Sequence, residues 1–241
     1  MKTYQNLTLK GFGKAIAASC LLILVSACHD DDDDNSLMPP PEPMQYRYQV
    51  DVTNLTNAQP MSPFAVVLHN EGMLWNIGES ANDAIENLAE SGDNSQVLDL
   101  SVVLAGNSGA DILMPGTSES IEVMITDTAP MYLSAATMLV NTNDAFTGIN
   151  ALDISQLAAN ESISMVMGSY DAGTEKNSEL AETIPGPAAG GEGYNAERDD
   201  VDFVSAHPGV VSMDDGLTQS VLTQAHRFDN PTIRVTITRI E

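Results

Sequence analysis

Tyr46-Arg47-Tyr48-Gln49-Val50-Asp51-Val52-Thr53 alternates apolar or aromatic residues with polar ones without a break. A strand carries its side chains with a period of 2, so Tyr46, Tyr48, Val50 and Val52 share one face and Arg47, Gln49, Asp51 and Thr53 the other. Near the other end, Thr232-Ile233-Arg234-Val235-Thr236-Ile237-Thr238-Arg239-Ile240 repeats the pattern. Between them, Phe64-Ala65-Val66-Val67-Leu68 is a shorter apolar run, and residues 97–105, 121–125, 132–140 and 163–168 extend the series. Helical periodicity is scarce. Ser80 is predicted to cap one helix that carries Ala84, Ile85 and Leu88 on a single face and ends near Gly92, and a second short turn is predicted over residues 152–157. Seven or eight strands beside one real helix predict an all-β protein, an antiparallel β-sandwich with one or two short helices. Residues 182–220, rich in Gly, Pro and Asp, read as a long surface excursion between the last strands.

The first 27 residues read as a targeting signal. Lys2, Lys10 and Lys14 form a positive region, and a short apolar run over residues 15–25 follows it. Val25-Ser26-Ala27-Cys28 then reads as a bacterial lipobox, with Cys28 as the lipidated first residue of the mature chain. The alternative is an ordinary secretory signal cut after Ala27, with Cys28 left as a free thiol. An acyl chain contributes about 0.8 kcal/mol per buried CH₂, so a multiply acylated Cys28 would anchor the chain to a membrane. His29, rather than an aspartate, after the cysteine favours the outer membrane or cell surface. Residues 28–45 carry Asp30 to Asp34 and then Pro39, Pro40, Pro41 and Pro43, a composition that makes an extended tether. The domain is expected over residues 46–241. Cys20 and Cys28 are the two cysteines, so the mature domain has no disulfide partner and no thiol for zinc or catalysis.

The chain has 34 acidic and nine basic residues, a formal charge of −25. Without residues 1–27, which hold three of the lysines and no acid, six basic against 34 acidic residues leave −28. That balance excludes a nucleic-acid-binding surface, because phosphate contacts need clustered lysine and arginine.

Two polar segments follow apolar runs: Asn141-Thr142-Asn143-Asp144-Ala145-Phe146-Thr147-Gly148-Ile149 and Ser169-Tyr170-Asp171-Ala172-Gly173-Thr174-Glu175. Both read as strand ends where carboxylates emerge. Asp144, Asp171 and Glu175 would then meet at one rim of a sandwich. Hard cations such as Ca²⁺ take such oxygen ligands, about 6–8 of them, from carboxylates and carbonyls on loops.

The same segments resemble the spondin domain, the N-terminal module of F-spondin and of many bacterial surface proteins. The family's S-P-D-W-x-V-G-x-x-x-L is matched by residues 143–152, Asn143 to Leu152, with Asp144 in the place of its Asp. Its D-A-G-T-D is matched by Asp171-Ala172-Gly173-Thr174-Glu175. Its G-x-x-x-L-A-E-D-G-D is similar to Ala84-Ile85-Glu86-Asn87-Leu88-Ala89-Glu90-Ser91-Gly92-Asp93. The resemblance spans residues 46–241. It implies a C2-like or jelly-roll sandwich with a Ca²⁺ site formed by Asp144, Asp171 and Glu175, and a role in adhesion or interaction rather than catalysis. Glu175 departs from the pattern by one methylene. The absence of cysteines also departs from the animal members, and residues 182–220 differ in detail.

Other chemistries find little footing. Asp171-Ala172-Gly173-Thr174 has no second copy with which to share a proton as in an aspartic protease. His69, His207 and His226 lack metal-ligand spacing, and no G-x-S-x-G occurs. Asp199, Asp200, Asp202, Asp214 and Asp215 lack the EF-hand pattern and read as a solvated acidic loop. A carbohydrate- or matrix-binding module with structural Ca²⁺ is the alternative, with Trp75 as its one tryptophan, and a hydrolase ranks below it. The expected partners are a membrane, through lipid on Cys28, and an extracellular protein or glycan.

Overall fold

The computed structural model describes residues 41–241. The segment read as a targeting signal, Cys28 and the poly-aspartate stretch read as part of a tether lie outside the described residues. Ten strands build two sheets among the described residues, and every strand pair is antiparallel. The smaller sheet has the order β4-β1-β10-β7, from β4 (Ser118–Thr126), β1 (Gln45–Asn54), β10 (Ile233–Arg239) and β7 (Ser162–Met167). The larger has the order β3-β2-β5-β6-β8-β9, from β3 (Val103–Ser108), β2 (Ala65–His69), β5 (Tyr132–Met138), β6 (Ala145–Asp153), β8 (Ser169–Asp171) and β9 (Ser205–Ala206). This is a β-sandwich.

The alternation over residues 46–53 turns Tyr48, Val50 and Val52 inward and leaves the polar residues on the outer face. In register with them, β10 buries Ile233, Val235 and Ile237, and β4 buries Ile121 and Val123. They meet Phe64, Val66, Leu68, Leu133, Ala135 and Ile149 of the larger sheet in the inter-sheet core.

The larger sheet is covered on its second face too. Two short helices, α1 (Asp83–Ser91) and α2 (Ser95–Leu98), lie there over Ala65, Val67, Ala136 and Phe146. The expected strand over residues 97–105 is therefore split: α2 and a turn take its first half, and β3 its second. Polar Asn94, Ser95 and Gln96 just ahead allow the chain to coil there, and Asp93 Oδ1 accepts from the Ser95 N–H at 2.9 Å.

The cap of α1 also differs from expectation. Asn82, in extended backbone, accepts from the Ile85 N–H at 3.0 Å through Oδ1. Ser80 instead donates to the Asp202 carbonyl. Gly92 ends the helix at φ +74°, with its N–H on the Leu88 carbonyl. Glu86, Asn87 and Glu90 on the polar side of α1 are buried as well, because residues 195–202 lap across it: Arg198 pairs with Glu86 and donates to the Ala81 carbonyl. Residues 182–220 are thus more than a surface excursion. They carry β9, and Ile184 and Val210 pack with Leu222 in a third small core.

Candidate metal centre

Residues 145–149 form the buried half of β6, so the segment read as a loop is a strand after its first four residues. β8 pairs with it, Ala145 opposite Asp171. This register sets Asp144 and Asp171 side by side, and the Ala172 N–H donates to the Asp144 carbonyl at 3.2 Å. The chain then turns sharply at Gly173, whose φ is +72°. A Cβ there would lie 2.4 Å from the Phe203 carbonyl oxygen, so only glycine fits. Asp171 Oδ1 accepts from the Gly173 N–H at 2.8 Å and holds this turn.

The turn aims the next two amides at Asp144. Its Oδ2 accepts from the Thr174 N–H at 2.8 Å and the Glu175 N–H at 3.1 Å, with the Thr174 hydroxyl at 3.3 Å. Asp144, Asp171 and Glu175 thus belong to one loop cluster at the adjoining ends of β6 and β8. All three are buried. Burial pushes the Asp144 carboxyl up to about 7; the charge of Asp171 adds to this, and the hydrogen bonds from Glu175 and Thr174 oppose it. Glu175 is pushed up to about 8, first by burial and then by Glu90, Asp144, Asp199 and Glu192.

Asp171 differs from the other two in having donors on both oxygens. Its Oδ2 accepts from Asn177 Nδ2 at 2.6 Å. His207 sets the orientation of that amide. Its Nδ1 accepts from the Gly209 N–H at 3.0 Å, so the ring proton sits on Nε2 and is donated to Asn177 Oδ1 at 3.1 Å. Burial pushes His207 down to about 4, partly offset by Asp171, so the ring is neutral at pH 7.

Two residues outside the expected set face the same corner. Glu90, on the last turn of α1, is 1% exposed; its Oε2 accepts from the Asn195 N–H at 2.9 Å, and its Oε1 has no partner. Burial raises its carboxyl above the usual glutamate range, against the hydrogen bond from the Asn195 N–H. Asn143 donates through Nδ2 to Thr183, while its Oδ1 is buried without a partner, as is Asp144 Oδ1. Glu90 sits in the third segment of the spondin resemblance, and that was the only sequence signal for it. A cavity of about 440 Å³ lined by Asn143, Glu175, Lys176, Thr183, Asn195 and Asp199 opens beside them.

Positive charge is committed elsewhere. Lys176 pairs with Asp199 at 3.0 Å, and Arg198 with Glu86 and Asp202. Among the described residues no lysine or arginine bridges Glu90, Asp144 or Glu175. Nor are three His, Cys, Asp or Glu side chains among them gathered closely enough to grip a metal as they stand. The unpartnered buried oxygens nonetheless fit a hard cation, since each is an acceptor lacking any donor.

Among the described residues, the acids of the predicted acidic loop do not form a second centre. Asp199 and Asp202 hold their cations, Asp215 caps residues 213–215 and pairs with Arg227, and Asp214 accepts from the Gln224 N–H. His69 is buried between the Glu71 carbonyl and the Ser134 hydroxyl. Trp75 is buried too, with its ring 5.1 Å from Phe146 in an edge contact. No protein-family model matches the chain, and no curated protein is significantly similar to it in sequence.

Proposed function

We propose that residues 46–241 are a calcium-binding, non-catalytic adhesion or interaction module of the spondin type, exported and held at a bacterial outer membrane or cell surface through lipid on Cys28. The observation that carries the calcium reading is the corner around Asp144: buried carboxylates from three separate segments, no basic side chain bridging them, and acceptor oxygens without donors. Asp144, Asp171 and Glu175 would hold the ion. The ion supplies the positive charge that the corner lacks and ties its loops into one rigid rim for a partner to meet.

Two further points support this reading. The three segments that resemble the spondin pattern fall in its order along the chain, and free Ca²⁺ is abundant outside the cell. The alternative, a sugar- or matrix-binding module, cannot use Trp75 as a stacking platform, because that ring is buried. It would rest instead on the exposed rings of Tyr194 and Phe203.

Residues 42–241 form one compact unit with its own core, and a thermal melt of that unit tests the proposal. A ligand that binds only the folded state stabilises it by about 2.7 kcal/mol at a hundredfold excess over Kd. Ca²⁺ in place of EDTA should then raise Tm by about 5–10 °C for a domain of this size, and the Asp144→Asn variant should lose most of that rise. An unchanged Tm in the native protein, or an equal rise in the variant, overturns the calcium reading.

A further inference from the structure

We propose that two copies of this chain dock through the edge strand β7, each β7 running antiparallel to the other about a twofold axis at Ser164. The two four-stranded sheets then join into one sheet of eight. This goes beyond the calcium reading and needs no ion.

The four-stranded sheet has two edges, and the chain treats them differently. At one, β4 carries Glu119 and Glu122. There Asn107 of β3 donates to the Glu122 carbonyl at 2.8 Å, and Glu119 accepts from the Ala110 N–H. Charge and covering segments are the usual defences of an edge against an added strand. At the other edge, β7 reads Ser162-Ile163-Ser164-Met165-Val166-Met167, with no charge and no proline. Its register with β10 runs without a bulge, and among the described residues β10 is its only neighbour in the sheet.

The ladder to β10 shows which backbone groups of β7 face outward. The Arg239 N–H donates to the Glu161 carbonyl at 3.1 Å, and the Thr232 N–H to the Met167 carbonyl at 2.8 Å. Odd-numbered residues therefore turn their polar groups to β10. Antiparallel strands alternate, so Ser162, Ser164 and Val166 turn N–H and C=O away from it. These three residues are centred on Ser164. With Ser164 opposite Ser164, residue 162 of one copy faces residue 166 of the other, and every outward N–H meets an outward carbonyl. About six hydrogen bonds follow, with no group left over. The serine hydroxyls do not compete, because Ser162 bonds Thr238 at 2.8 Å and Ser164 bonds Thr236 at 2.9 Å.

Two observations select a second copy as the occupant. The first is charge. At a formal −25, two copies repel over most of their surfaces. Along this edge they do not: β7 is uncharged, and the charged residues of β10 are Arg234 and Arg239. Counted inward from this edge, the first acid in the sheet is Asp51 on β1. Glu161 stands just before the strand, where it accepts from the Ala158 N–H. The second observation is an open seam. Ile163, Met165 and Met167 pack against the inter-sheet core yet stay only half-buried, as does Leu152 of β6. In the paired register Ile163 of one copy lies opposite Met165 of the other on that face, so docking closes the seam.

Sedimentation equilibrium on residues 29–241, which contain no cysteine, tests the pairing. The native chain should associate reversibly to a dimer at loading concentrations up to about 1 mM, since so small an interface is weak. Ser164→Lys sets two like charges across the axis and should weaken the dimer at least about tenfold, as should Ser164→Glu. An equimolar mixture of the two variants should associate at least as tightly as the native chain, a recovery that a folding defect would not allow. In oxidised glutathione, Ser164→Cys should give a disulfide-linked dimer, because a hydrogen-bonded antiparallel pair sets its Cα atoms about 5.5 Å apart. Ser162→Cys should not, because residue 162 faces residue 166 and not itself. A native chain that stays monomeric overturns the proposal and leaves the edge to a strand from another protein. A dimer that Ser164→Lys leaves intact, or that links equally through both cysteine variants, overturns it too.

Discussion

The two sheets of this sandwich are built on different terms. The four-stranded sheet buries one face and shows the other to water, so polar residues alternate with Tyr48, Val50 and Val52 along β1 and with Val235 and Ile237 along β10. The six-stranded sheet lies between that core and the α1–α2 layer. β2 is buried at all five positions, and the first five residues of β6 are buried as well. A polar group on the outer face of the first sheet is solvated by water and needs no partner. In the doubly covered middle of the second sheet a polar group must find a protein partner or a bound ion, and Asp171, His69 and Thr147 are found there, with Asp144 just before β6. Chemistry concentrates where water has been removed.

The largest expected difference between the sheets is in packing. Phe146 is fully buried against Trp75 and Tyr170, and Phe146→Ala should cost about 3–5 kcal/mol in urea unfolding. Val166, on the outer face of the edge strand β7, is 52% exposed, and Val166→Ala should change stability by about 0.5 kcal/mol or less. Equal losses at the two positions would show that the covering layer contributes little.

A smaller effect tests the layer itself. Asn82 caps α1 and also donates to the Leu74 carbonyl, so Asn82→Ala should cost about 1–2 kcal/mol. Ser80→Ala, at the position that the sequence pattern favours as the cap, should cost about 0.5 kcal/mol or less. The reverse order would return the cap to Ser80.

The smallest effect concerns a buried acid away from the cluster. Glu179 packs beside the third core, accepts from the Val211 N–H through Oε1, and has an unpartnered Oε2. Burial raises its carboxyl above the usual glutamate value of 4.5. A raised value means that the folded state holds the proton more tightly than the unfolded chain. The stability this contributes is fully present below about pH 4.5 and is lost as pH rises through the folded value. Gln cannot ionise. In denaturation curves taken at about pH 5 and about pH 8, Glu179→Gln should lose less stability with rising pH than the native protein. Parallel losses would show that Glu179 does not titrate in this window.

Legibility in the sequence follows the same division. β1, β4, β7 and β10 were all anticipated, because one solvated face imposes a period of 2 on the residues. The segments that hold β6 and β8 read from sequence as strand-end loops. Their polar residues, among them Thr147, Ser169 and Asp171, sit in the interior, where the larger sheet is buried on both faces, and burial on both faces erases alternation. Helix α2 escapes the sequence pattern for a related reason: an apolar run of that length suits a strand and a short buried helix equally. At the candidate site, Asp144, Asp171 and Glu175 were visible because they end apolar runs. Glu90 reads from sequence only as part of a helix, and Asn143 only as an uncharged loop residue.

The sequence by itself determined the class of fold, the acidic character of the domain, and the strand ends from which Asp144, Asp171 and Glu175 emerge. Periodicity and charge are local properties, so they can be read along the chain. Only the tertiary structure decided which neighbours cover those acids. It brought the Asn195 N–H to Glu90, gave Asp171 its two donors, and left Asp144 Oδ1 without one. A hydrogen bond between distant segments depends on how layers dock, and no residue carries that information alone.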